Sequence, residues 1–163
     1  MNKLQKAFID EIYFGIKNEL KHKTGEPLTY RIRNAIAMYS LANDFYYTSQ
    51  KTLDHIKKLK LNISKRSIKG LKNKITYEHA IPTKVILEEC LKQPNKKYIT
   101  DILIKSDYVA ILTHEEDKLL NDAGFKFKMP DGWNFGDDVY ARYKKVGIRL
   151  LKKPIRMFGA LKR

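Results

Sequence analysis

Apolar residues recur at helical spacing from the start of the chain. Leu4, Phe8, Ile12, Ile16 and Leu20 follow one another at four-residue steps, and Ile9 and Tyr13 widen the stripe. This pattern predicts an amphipathic helix over LQKAFIDEIYFGIKNELKHKTG, closed by Thr24-Gly25. In TYRIRNAIAMYSLANDFYY, the residues Ile32, Ala35, Ile36, Tyr39 and Leu41 or Ala42 fall on one broad face. A second helix packed on the first across a short connection is expected.

From Ile75 onward the periods shorten. ITYEHAIP reads as a strand, PTKVILEECLKQ as a helix beginning at proline, and KYITDILIKSD as a helix bearing Ile99, Ile102 and Leu103. DYVAILT is an apolar strand, followed by the helix HEEDKLLNDAG, which ends at Gly124. Thr113 is a suitable N-cap for that helix, and Glu116, three positions on, completes a capping box. FKFKMPDGW reads as a strand and turn, and GDDVYARYKKVG as a last helix. The expected class is α+β, with N-terminal helices packed on a small helix and strand region. Three regions are expected: a helical, basic stretch over 1–74, an α+β region over 75–150, and a basic tail over 151–163.

Charge changes this picture most. The 163 residues hold 33 Lys and Arg against 18 Asp and Glu, a formal +15. Such an excess repels itself in a compact state and points to a polyanionic partner. Nucleic acid, DNA or RNA, is the first expectation because phosphate neutralisation releases counterions; an acidic membrane surface is the rival. No apolar run approaches the roughly 20 residues that span a bilayer, and acidic residues interrupt the N-terminal stretch where a signal peptide is apolar. A cytoplasmic protein without a membrane partner is expected, and a homodimer is compatible with the chain. The single cysteine, Cys90, excludes an internal disulfide and a multi-cysteine zinc site; it reads as a small core residue.

The cations are unevenly spread. Residues 50–74 hold nine Lys or Arg and one acid, Asp54, with apolar residues spaced among them. Lys57, Lys58, Lys65, Arg66, Lys69 and Lys72 read as a strip facing phosphates, or as a solvated helix face. The last twenty residues carry eight Lys or Arg and no acid, so Arg149, Lys152, Lys153 and Arg156 read as a second phosphate-seeking arm.

Against this background the pair Glu78-His79 stands out. Phosphodiester hydrolysis needs a base for the attacking water, a divalent metal at the phosphate and a cation for developing charge. Successive strand residues point to opposite sides, so both side chains meet one metal only on a twisted or bulged strand. An acidic-His-Ala-Ile-Pro strand, a second strand ending in Leu112-Thr113, and a helix with Asp117 in its first turn resemble the ββα-metal finger of the HNH nucleases over about residues 76–120. The resemblance implies a ββα-like region and a metal-dependent endonuclease: Glu78 as metal ligand, His79 as general base, Asp117 in the place of the helix ligand. An oxygen donor there suits Mg²⁺ or Mn²⁺. The family's asparagine falls where this chain has Asp107-Tyr108, and its final histidine is Asp117.

Other assignments stay open at this point. Glu78-His79 also reads as an exposed strand end, and Asp117 as an acid favourable to the helix dipole. His114 reads as exposed, and His55 as a surface residue or phosphate contact. Trp133 and Phe135 close a small core or stack on a base; Arg142 pairs with Asp138 four residues back or clamps a phosphate. Beside the endonuclease stand two alternatives: a metal-free toxin-type ribonuclease acting through His79, and a non-catalytic inhibitor of mobile-element origin that binds nucleic acid or ribonucleoprotein.

Overall fold

The structure is a computed structural model and describes residues 1–22, 26–60 and 75–157. The two N-terminal stripes form α1 (Lys3–His22) and α2 (Glu26–Leu41). Ile9, Ile12 and Ile16 of α1 meet Ile32, Ala35, Ile36 and Tyr39 of α2 in the largest apolar cluster. Gly15 lets the two helices approach, since a Cβ there would lie 2.8 Å from Ile32 Cγ1. α4 (Thr83–Lys92) and α5 (Lys96–Lys105) complete this helical layer with Ile86, Leu87, Cys90, Ile99, Ile102 and Leu103. Cys90 is buried there, as a core residue should be.

The segment FYY, expected at the end of the second helix, is a strand. α2 stops at Leu41, and the Asn43 side chain accepts from the backbone N–H groups of Asp44 (2.8 Å) and Phe45 (3.3 Å), which turns the chain. Phe45–Thr48 then runs extended as β1. Its aromatic and β-branched composition suits a pleated surface better than a helix.

β1 joins β2 (Thr76–His79), β3 (Val109–Leu112) and β4 (Ile155–Arg156) in a mixed sheet of order β2-β3-β1-β4. β2 and β3 are antiparallel, β1 and β3 parallel, β1 and β4 antiparallel. One face carries Tyr46, Tyr77, Val109, Ile111 and Ile155, covered by Ile56 of α3 (Gln50–Lys58). The other carries Ala110 and Leu112, covered by Leu120 of α6 (His114–Asp122) and by Tyr143 of α7 (Ala141–Lys145). The fold is α+β, with seven helices and four strands among the described residues. Its sheet draws strands from all three regions expected from the sequence: β1 lies before residue 74, and β4 lies in the basic tail.

Two expected elements are shorter than their patterns. FKFKMPDGW forms a turn and no strand: Trp133 N–H bonds Pro130 O at 3.1 Å, and Gly132 sits at φ +80. The last helix is only α7, because Gly136 at φ +113 and the Asp138 carboxylate, accepting from Tyr140 N–H at 3.0 Å, hold the preceding residues in turns. No helix among the described residues is long and apolar enough to cross a membrane.

Candidate functional site

α6 is set on the sheet by the capping box its sequence predicts. The Thr113 hydroxyl accepts from Glu116 N–H (3.2 Å), and Glu116 Oε2 accepts from Thr113 N–H (3.1 Å). A third group completes the node: Thr52 Oγ1, on α3, donates to Glu116 Oε2 at 2.7 Å and accepts from Thr113 N–H at 3.0 Å. This buried network ties the starts of α3 and α6 together beyond the ends of β1 and β3. Asp117, the next residue, is half-buried, and Asn121 Nδ2 donates to its Oδ2 at 3.3 Å.

β2 runs antiparallel to β3 and α6 packs on both, so the ββα order is present. Within it Glu78 and His79 diverge, as alternation along a strand dictates. Glu78 lies opposite Ala110, on the face covered by α6 and α7; His79 lies opposite Val109, on the other face. Glu78 is held by Arg142, whose Nη2 donates both to Glu78 Oε1 and to the carbonyl of His79. The guanidinium also donates to Ala80 O (2.9 Å) and Phe125 O (2.7 Å), and the whole side chain is buried. A guanidinium bearing four acceptors is a closed structural tie rather than a free phosphate clamp. Burial raises the Glu78 pKa, Arg142 opposes that shift, and the nearby Asp117 charge adds to it.

His79 sits in a different environment. Its Nε2 is buried with no hydrogen-bond partner among the described residues, although the residue as a whole is partly exposed. Burial pushes the imidazole down to about 4, while a backbone hydrogen bond to Ala37 of α2 pulls the other way and the Arg142 charge adds to the depression. The ring is therefore neutral at pH 7. His114, by contrast, is exposed on the Glu78 side, its Nδ1 3.1 Å from Thr76 Oγ1.

The structure thus brings Glu78 and Asp117 within electrostatic reach on one face and places His79 on the other. The donor set does not fit the Mg²⁺ or Mn²⁺ that the resemblance implies. A buried cation already occupies the Glu78 carboxylate, and His79 lies on the opposite face of the sheet.

Of the expected phosphate contacts, Lys65, Arg66, Lys69 and Lys72 lie outside the described residues. Lys57 and Lys58 are exposed on α3, with Asp54 Oδ1 4.0 Å from Lys57 Nζ. Arg149, Lys152, Lys153 and Arg156 are all exposed along the edge of the sheet. Leu151 N–H bonds Thr48 O at 2.8 Å, Leu150 bridges Ser49, and Arg156 pairs with Phe45. Asp138 pairs with Lys144 (2.6 Å), not with Arg142. Trp133 and Phe135 pack edge to face at 5.9 Å against the helical core, so they close that core.

Sequence reasoning missed the tie between Arg142 and Glu78 and the part played by Thr52. Neither has a local signal, because each partner is more than sixty residues away in the chain. It also missed the aromatic row on β1, whose signal was the run Phe45-Tyr46-Tyr47 following an asparagine. No protein-family model, curated protein or solved structure matches this chain.

Proposed function

We propose that the protein binds nucleic acid through a cationic surface built from α3 and the chain after Asp138. The observation that carries this reading is the set Arg149, Lys152, Lys153 and Arg156. All four are exposed, no carboxylate pairs with them among the described residues, and no acidic residue follows Asp138. Like charges held close together along one stretch of chain at the sheet edge raise the energy of the free protein, and a polyphosphate backbone relieves it with release of counterions. Ile56 of α3 shares one apolar cluster with Ile155 and Met157, so the two basic elements adjoin through the sheet core. The test is fluorescence anisotropy with labelled DNA and RNA at about 0.1 M salt, using the wild type and a Lys152→Glu/Lys153→Glu variant. Tight binding that the variant loses is expected; no binding by the wild type overturns the proposal.

A second reading, phosphodiester hydrolysis of the HNH type, is favoured by the ββα order and by the closeness of Glu78 to Asp117. It requires Glu78 to leave Arg142 and His79 to act from the opposite face, so binding without cleavage is the better supported function. Supercoiled DNA and folded RNA incubated with Mg²⁺, Mn²⁺ or EDTA separate the cases. Metal-dependent nicking abolished by Glu78→Gln, with binding retained, would make hydrolysis the function. Cleavage of RNA in EDTA would point to a metal-free ribonuclease.

A further inference from the structure

The sheet face that carries Glu78 continues past β3 onto β1, and there it changes character. Burial alternates along β1: Phe45 is exposed, Tyr46 buried, Tyr47 half-buried and Thr48 buried. Phe45 and Tyr47 therefore stand on one face, two residues apart. Phe45 keeps 52% of its surface exposed, and its cross-strand partner is the exposed Arg156. Tyr47 is braced by Tyr140 and Tyr108, with ring centroids at 5.4 and 5.8 Å.

Phe45 lies outside the apolar clusters and faces an arginine on the edge strand, so its ring is open on the same face as Tyr47. We infer that Phe45 and Tyr47 form a stacking platform for the bases of an unpaired nucleic-acid strand, with Arg156 and the neighbouring Lys152 and Lys153 on its phosphates. This inference rests on the nucleic-acid binding proposed above and names the form of the ligand. Access to a base face decides that form, and the backbone spacing of the two residues is compatible with it. Two strand residues span roughly 6.6 Å, about twice the 3.4 Å rise between stacked bases of one duplex strand. A ring reaches a base face only where that stack is already open, so a duplex gives these rings nothing to stack on. An unpaired strand offers a π-face at every base and tolerates any sequence.

The experiment measures affinities of the full chain for a labelled single-stranded oligonucleotide and for a duplex of the same sequence, at one salt concentration. The wild type should prefer the single strand. Phe45→Ala should weaken single-strand binding by about 5- to 150-fold and leave duplex binding unchanged, and Phe45→Trp should restore it. Tyr47→Leu should act in the same direction as Phe45→Ala. Equal losses on both ligands, or no loss on either, overturn the platform. Duplex binding with no preference for single strands also overturns it while the cationic surface stands, whereas no binding to either ligand removes both.

Discussion

Two groups with displaced pKa values, His79 and Asp107, contribute to the shape of this protein's stability in pH. His79 has a folded pKa of about 4 against an ordinary 6.5, so the unfolded chain takes up its proton first as pH falls. Its contribution is complete above pH 6.5 and is lost as pH drops through 6.5 toward 4, by about 2 kcal/mol between pH 7 and 5. Asp107 runs the other way. Burial raises its carboxyl to about 6 from 3.8, with Gln5 Nε2 (3.0 Å) and Asn43 Nδ2 (3.4 Å) donating to Oδ2 and opposing the rise. Its contribution is complete below 3.8 and is lost as pH climbs through 6, so the two groups offset each other in weak acid. An Asp107→Asn variant, whose amide oxygen keeps both donors, should therefore unmask His79. Its urea-unfolding free energy should fall from pH 7 to 5, and a further His79→Leu change should flatten the profile. An unchanged fall in the double variant would assign the titration to another group. Arg142 answers to a different measurement. Arg142→Met leaves a carboxylate and three carbonyls without their donor and should cost about 3–5 kcal/mol in chemical denaturation. Glu78→Gln keeps the three carbonyl bonds and should cost clearly less.

At the scale of elements, one carboxylate holds two helices. Glu116 Oε2 accepts from the Thr52 hydroxyl, the Thr113 amide and the Thr113 hydroxyl (3.3 Å). Glu116→Ala should destabilise the protein by about 2–4 kcal/mol, because two buried donors lose their acceptor and the capping box is gone. Glu116→Gln retains an acceptor oxygen and should cost about 1 kcal/mol; equal losses for the two variants would show that the carboxylate charge is what matters. Half of this node was legible in advance: Thr113 and Glu116 are neighbours on one turn, and their spacing alone announces the box. Thr52 was not, because only the sheet brings it there. β1 was misread for a related reason. An aromatic run continuing a helical stripe looks helical until the Asn43 side chain takes the next two amides and turns the chain. Arg142 was misassigned because Asp138 stands at the right helical step, yet turns occupy that stretch and Lys144 takes the acid.

For the whole molecule, the sequence carried the amount of charge and its clustering, but not the arrangement of the clusters. Division into a helical stretch over 1–74, an α+β region over 75–150 and a basic tail over 151–163 does not anticipate a sheet that takes strands from all three, since pairing between distant strands leaves no trace in local periodicity. The proposed binding surface joins the two basic segments, and salt dependence measures whether both engage. Each phosphate neutralised by a lysine or arginine contributes about −0.9 to the slope of log affinity against log salt on duplex DNA. The exposed cations Lys57, Lys58, Arg149, Lys152, Lys153 and Arg156 together set an expected slope of about −5 if all engage. Removing Lys152 and Lys153 together should flatten it by about 2 and weaken duplexes of every sequence alike, because contacts to phosphate carry no base information. Phe45→Ala should leave the duplex slope untouched, since an uncharged ring releases no counterion. A slope that ignores the loss of both lysines would move the binding surface away from the β4 edge, whatever the affinity itself turned out to be.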